Sequence, residues 1–131
     1  MASIFSKIIS EEIPCYKIAE NDHCIAFLDV SPLSKGHVLV VPKKEVDLLF
    51  DLDDELYIEV GKMVKSVAKA IKEVISCTRV GMAVIGLEVP HAHVHLVPIN
   101  NIGDIDFTKK RCDFTTQEFV ETANLIKSKL K

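Results

Sequence analysis

The chain has 131 residues, 48% of them apolar and 27% charged, a balance that fits one domain over 1–131 with its own core and excludes a low-complexity chain. A net charge of −3 argues against a dedicated nucleic-acid binder but leaves room for a local phosphate site. No apolar run approaches the roughly 18 residues of a membrane span, no signal peptide is evident, and Cys15, Cys24, Cys77 and Cys112 form no Cys-x-x-Cys pair; reduced thiols in a cytoplasmic protein are expected.

Residues 4–9 carry apolar side chains at 4, 5, 8 and 9, which predicts a short helix with one buried face. Pro14 ends it, because the residue before a proline avoids the α region. A short strand is expected over 18–20 and a turn at Asn21-Asp22. Residues 24–30 read as a mostly buried strand, 31–36 as a loop and 37–42 as the next strand, an antiparallel neighbour of the first. Asp53 or Asp54 is placed to cap a helix running to about Ile75. Its stripe is Leu56, Val60, Met63, Val64, Val67, Ile71 and Val74, and Glu59, Lys62, Lys65, Lys69 and Lys72 make a solvated face. Residues 79–86 form a third long strand that turns into a fourth over 90–98. Residues 100–112 read as irregular and exposed. Thr115 or Thr116 caps a last helix through about Leu130. The order predicts an α+β fold, an antiparallel sheet with helices packed on one face.

The fourth strand carries His91, His93 and His95 at spacing two. In a strand these three line one face, and Ala92, Val94 and Leu96 the other. Three chemistries use such a row. Imidazoles can ligate a metal, but ligands along a flat strand spread over about 13 Å, so two of them with His37 form an easier set than all three. One imidazole can be a nucleophile, its second nitrogen held by a main-chain carbonyl, while a neighbour donates to a phosphate oxygen or the leaving group. The third option is structural, with all three rings satisfied by hydrogen bonds.

His91-Ala92-His93-Val94-His95-Leu96-Val97 resembles the His-x-His-x-His-x-x signature of the histidine triad (HIT) family. Three upstream segments resemble the same family in the same order: Ile4-Phe5-Ser6-Lys7-Ile8-Ile9 through Pro14, Ala26-Phe27-Leu28-Asp29-Val30-Ser31-Pro32, and Gly36-His37-Val38-Leu39-Val40-Val41-Pro42-Lys43-Lys44. The similarity spans about residues 3–98 and fits the Hint-like, nucleoside phosphoramidase branch best.

The resemblance implies a homodimeric HIT-like α+β fold with a long helix and a C-terminal helix. It also implies hydrolysis or transfer of purine nucleotides, with phosphoramidates (AMP–N bonds) as the leading substrate class. Dinucleoside polyphosphate hydrolysis, or nucleotide binding with little turnover, is the alternative. His93 corresponds to the nucleophile, His91 to the residue whose carbonyl orients it, His95 to the group contacting phosphate and leaving group, and His37 to a supporting fourth histidine. Asp29 corresponds to the ribose ligand, and Phe5, Ile8, Phe27, Val30 and Leu39 to the base pocket. Val89 keeps the pattern of the loop before the triad and corresponds to a further nucleotide-binding residue.

Leu87 and Glu88 stand where glutamine and serine are usual, and no counterpart of the loop asparagine is present. Some bacterial members hold structural zinc at positions occupied here by Ser6 and Glu45, so no metal and no other cofactor is expected. The tail after Asn100 does not match the family's.

Overall fold

A computed structural model describes residues 2–131. In chain order it contains α1 (Ile4–Ile9), β1 (Lys17–Glu20), β2 (Cys24–Leu28), β3 (Val38–Pro42), a 3-10 turn (Leu49–Asp51), α2 (Asp54–Val74), β4 (Arg79–Ala83), β5 (Val94–Ile99), a second 3-10 turn (Ile102–Ile105) and α3 (Thr116–Lys127). The strands form one antiparallel sheet in the order β1-β2-β3-β5-β4.

β2 and β3 are uninterrupted apolar runs whose side chains alternate between two covered faces of the sheet, so every residue in them is buried. Ala26, Leu28, Val38 and Val40 face α2 and α3, joined by Val94 and Leu96. Ile25, Phe27, Leu39 and Val41 face the other way and pack with Phe5. The two long helices therefore share one face as expected, while α1 covers the opposite one. The amphipathic pattern of α1 could not say which face it would choose.

Asp53 caps α2, accepting from Leu56 N–H at 2.8 Å, and Asp54 and Glu55 in the first turn complement the helix dipole. Val60, Met63, Val67 and Ile71 are buried, with Ala70, and Leu56, Val64 and Val74 flank them. Thr115 and Glu118 form a capping box on α3, which seats Phe119 and Ile126 in the same core and stacks Phe119 on Tyr16 at 4.8 Å.

Several boundaries differ from the sequence expectation. β2 ends at Leu28, two residues before Val30, and β4 ends at Ala83 rather than Gly86. The helix α3 ends at Lys127, short of Leu130. The sheet segment of the histidine stretch begins at Val94. Its last pair with β3 is Val40↔Val94; beyond it Pro42 has no N–H to give, and its carbonyl accepts instead from His91 Nε2 at 2.8 Å. Residues 91–93 still alternate, with Ala92 in the main core. Just before β3, Gly36 has φ +91°, and a Cβ there would lie 2.9 Å from Ile75 Cγ1, so this tight approach of loop to core needs glycine.

Residues 100–112 are not simply exposed. Asp104 accepts from Asn100 N–H and Asn101 N–H at 2.7 and 2.8 Å, which starts the second 3-10 turn. The chain then folds back so that Cys112 N–H donates to Pro32 O at 2.8 Å. No helix among the described residues is long and apolar enough to cross a membrane.

Candidate active site

The three histidines share the sheet face covered by α1. Register explains it, since Leu39 pairs with both Phe27 and His95 across neighbouring strands. All three are buried, as is His37. Buried imidazoles need partners for both nitrogens or an opening for one, and those partners fix where each proton sits.

His91 Nε2–H donates to Pro42 O at 2.8 Å, because a carbonyl only accepts. Its Nδ1 then accepts from the Ser3 hydroxyl at 2.7 Å. His93 Nδ1–H donates to His91 O at 2.7 Å, so its Nε2 keeps the lone pair. Leu33 N–H donates to His37 Nδ1 at 3.0 Å. The proton of His37 is therefore on Nε2 and is donated to His95 Nδ1 at 2.9 Å. His95 in turn carries its proton on Nε2.

Burial pushes His37 down to about 3, helped by His95 and Arg111, and pushes His95 down to about 4, helped by His93 and Arg111. Both are neutral at pH 7. Burial also raises Asp29 from the usual carboxylate range, against the pull of Ser31 N–H, which Asp29 Oδ1 accepts at 2.8 Å. Asp29 Oδ2 lies 3.6 Å from His37 Nε2, close but not an ion pair with a neutral ring.

A cavity of about 600 Å³ opens beside His93 and His95, a volume suited to a small ligand. Of the expected nucleotide-site residues, Phe5, Asp29, Leu39 and Val89 line it. The Phe5 ring stands edge-on to His93 at 4.9 Å. Three others do not line it. Phe27 is buried behind Phe5, ring to ring at 5.8 Å. Ile8 packs on the outer side of the same cluster, beside a separate depression with Ile9 and Cys15. Val30 is 67% exposed, since β2 has already ended and the strand alternation no longer aims its side chain. His91 and His37 sit behind the lining, in contact with it through His93 and His95.

Leu87 and Glu88 both line the cavity. Ser6 hydroxyl donates to Glu45 Oε1 at 2.6 Å, and Ser3 N–H donates to the same oxygen at 2.7 Å. Asp29, His37 and His95 each offer one ligand atom within 4.8 Å of the others, the one grouping among the described residues that could hold a metal ion. The facing nitrogens of the two histidines are already joined by a hydrogen bond whose proton an ion would have to displace.

Three site residues carried no recognisable signal. Ser3 meets His91 across 88 positions of sequence. Phe107 packs edge-on against His95 at 4.6 Å. Arg111 lines the cavity, lies 5.4 Å from the Phe107 ring centre and donates to Ser31 O at 2.7 Å.

The antiparallel sheet presents a carbonyl-held imidazole and its neighbour at a cavity of about 600 Å³, and comparison with known proteins defines the class to which this arrangement belongs. The HIT domain model matches residues 10–102. The chain belongs to the HIT family. It is 39% identical over 102 residues to the adenosine 5'-monophosphoramidase hnt1 of Schizosaccharomyces pombe, covering 77% of each chain. A Hit-like protein from Bartonella henselae, described as involved in cell-cycle regulation, superposes with TM-score 0.84 at 32% identity over 98% of this chain and 96% of that one. A hypothetical histidine triad nucleotide-binding protein from Sulfolobus tokodaii superposes with TM-score 0.81 at 26% identity over 96% of this chain and 90% of that one.

Proposed function

We propose that the chain is a purine-nucleotide hydrolase or transferase that cleaves nucleoside phosphoramidates through a nucleotidyl group on His93. One observation carries the reading: the bond from His93 Nδ1 to the His91 carbonyl leaves the Nε2 lone pair free in a ring that lines the cavity. The likeness to a monophosphoramidase supports the substrate class.

In the first step the Nε2 lone pair of His93 forms a bond to the α-phosphorus, and the bond from phosphorus to the leaving nitrogen breaks, its electron pair going to that nitrogen. The leaving nitrogen departs as an amine with a proton that enters with the substrate, since a neutral His95 is a hydrogen-bond donor and a poor acid. The positive charge on the His93 ring is stabilised by the His91 carbonyl. His95 Nε2–H donates to a phosphate oxygen. In the second step a water oxygen bonds to phosphorus, the P–Nε2 bond breaks with its pair returning to His93, and the water's spare proton goes to solvent. Asp29 accepts from the ribose hydroxyls, and Phe5, Leu39 and Val89 pack on the base.

His93→Ala is expected to abolish turnover of adenosine 5'-phosphoramidate, and mass spectrometry of wild type quenched during turnover should find a nucleotidyl adduct on His93. Turnover by the variant would sink the mechanism. A binding module with little turnover is the second reading, favoured by the anionic Glu88 and apolar Leu87 on the cavity wall. AMP binding without turnover across a phosphoramidate panel would select it. Residues 1–131 act as one domain in this reading, two copies pair as a homodimer, and four free cysteines suit a reducing cytoplasm.

A further inference from the structure

Any phosphate entering the cavity meets an unfavourable charge balance. Asp29 and Glu88 are the two carboxylates on its wall, and Arg111 is the one cation among the described residues that line it. The loop over the histidines, residues 86–89, contributes glycine, leucine, glutamate and valine, so it has no side-chain donor. His37 and His95 are uncharged at neutral pH and bring only dipoles.

Arg111 is held without being neutralised. Its guanidinium faces the Phe107 ring at 5.4 Å and gives one N–H to the Ser31 carbonyl at 2.7 Å. None of the ion pairs among the described residues includes it. A half-buried guanidinium with only neutral partners keeps both its charge and most of its five donors for something else. Its position is built rather than incidental, because Phe107 is itself fixed edge-on against His95 at 4.6 Å, and Cys112 N–H is tied to Pro32 O at 2.8 Å. Its field reaches Asp29, His37 and His95.

We infer that Arg111 is the counter-charge for the phosphate anion this cavity takes, supplied by the segment after β5 in place of donors that the loop before the histidines lacks. The inference rests on the nucleotide reading above. A planar guanidinium matches two phosphate oxygens at once, which a lysine does not.

Calorimetry with AMP and with adenosine, on wild type, Arg111→Gln and Arg111→Lys, tests it, with melting temperatures recorded for each. Arg111→Gln should weaken AMP binding about 10- to 100-fold, the worth of a charge-assisted hydrogen bond. Adenosine, which has no phosphate, should bind it as it binds wild type, and Arg111→Lys should recover part of the loss. AMP binding unchanged in Arg111→Gln overturns the inference. So does an equal loss for AMP and adenosine, which would make Arg111 a prop for Phe107. A wild type that binds neither ligand defeats the nucleotide reading itself, and this inference with it.

Discussion

At His91 both ring nitrogens are committed inside the protein, one to Pro42 O at 2.8 Å and one to Ser3 Oγ at 2.7 Å. This ring therefore cannot meet a ligand, and what it offers outward is its carbonyl, to His93. Ser3 serves twice, since its hydroxyl also caps α1 by accepting from Ser6 N–H at 3.0 Å. Removing it strips a cap and leaves a buried imidazole nitrogen without a partner. Ser3→Ala is expected to cost about 1–3 kcal/mol, read from the urea midpoint, while Ser3→Thr keeps most of the stability. An unchanged midpoint in Ser3→Ala would mean that His91 Nδ1 finds another donor.

Among the strands, β1 and β4 each have a neighbour on one side only. One edge of β4 pairs with β5 from Arg79↔Ile99 to Ala83↔His95, and β4 is an end strand of the sheet. Met82 and Ile85, in and just after it, are 64% and 47% exposed. An apolar, unpaired edge is a template for another strand, and a second copy of the same edge satisfies it with two-fold symmetry. Light scattering should show a dimer, and Met82→Glu should shift it to monomer. A monomeric wild type would remove the homodimer from the functional reading.

What the sequence made legible follows from how local each signal is. The alternation of His91, His93 and His95 with Ala92, Val94 and Leu96 is a property of neighbours in sequence, and it survives even where the sheet pairing stops at Val94. Asp29 and His37 lay within matched segments, and both reach the histidine cluster. Val30 is exposed and off the cavity lining for a reason of the same kind, because its aim depends on β2 continuing past Leu28. Arg111 was out of reach, since the contact that holds it spans 80 positions, to Ser31. Phe107 likewise meets His95 only after the chain folds back.

For the whole molecule, the buried imidazoles couple stability to acidity. In the unfolded chain His37 and His95 titrate near 6.5, but in the fold they stay neutral down to about 3 and about 4. Below pH 6.5 the unfolded state thus binds protons that the native state refuses, so stability falls as pH drops. The slope is about 1.4 kcal/mol per pH unit for each ring fully charged in the unfolded state alone. Glu45, held down to about 2 by Ser3 N–H and the Ser6 hydroxyl, continues the loss through the carboxylate range. Asp29, whose raised value favours the native state on acidification, offsets part of it. Urea midpoints should decline between pH 7 and pH 5. A flat profile there would show that these rings can be charged in the fold.

The chain of protons that ends at the cavity begins at Leu33 N–H, a main-chain amide. An amide cannot titrate or swap donor for acceptor, so it acts as a one-way valve for everything downstream. His37 is compelled to give and His95 to receive on one side and give on the other. The polarity that a ligand encounters at His95 is thereby written into a peptide bond of the loop between β2 and β3, which contributes no side chain at that position to the cavity. At position 33 itself a substitution that keeps the loop's path leaves this bond intact, whereas one that rotates this single peptide would invert the hydrogen-bond signature that His95 presents to the cavity.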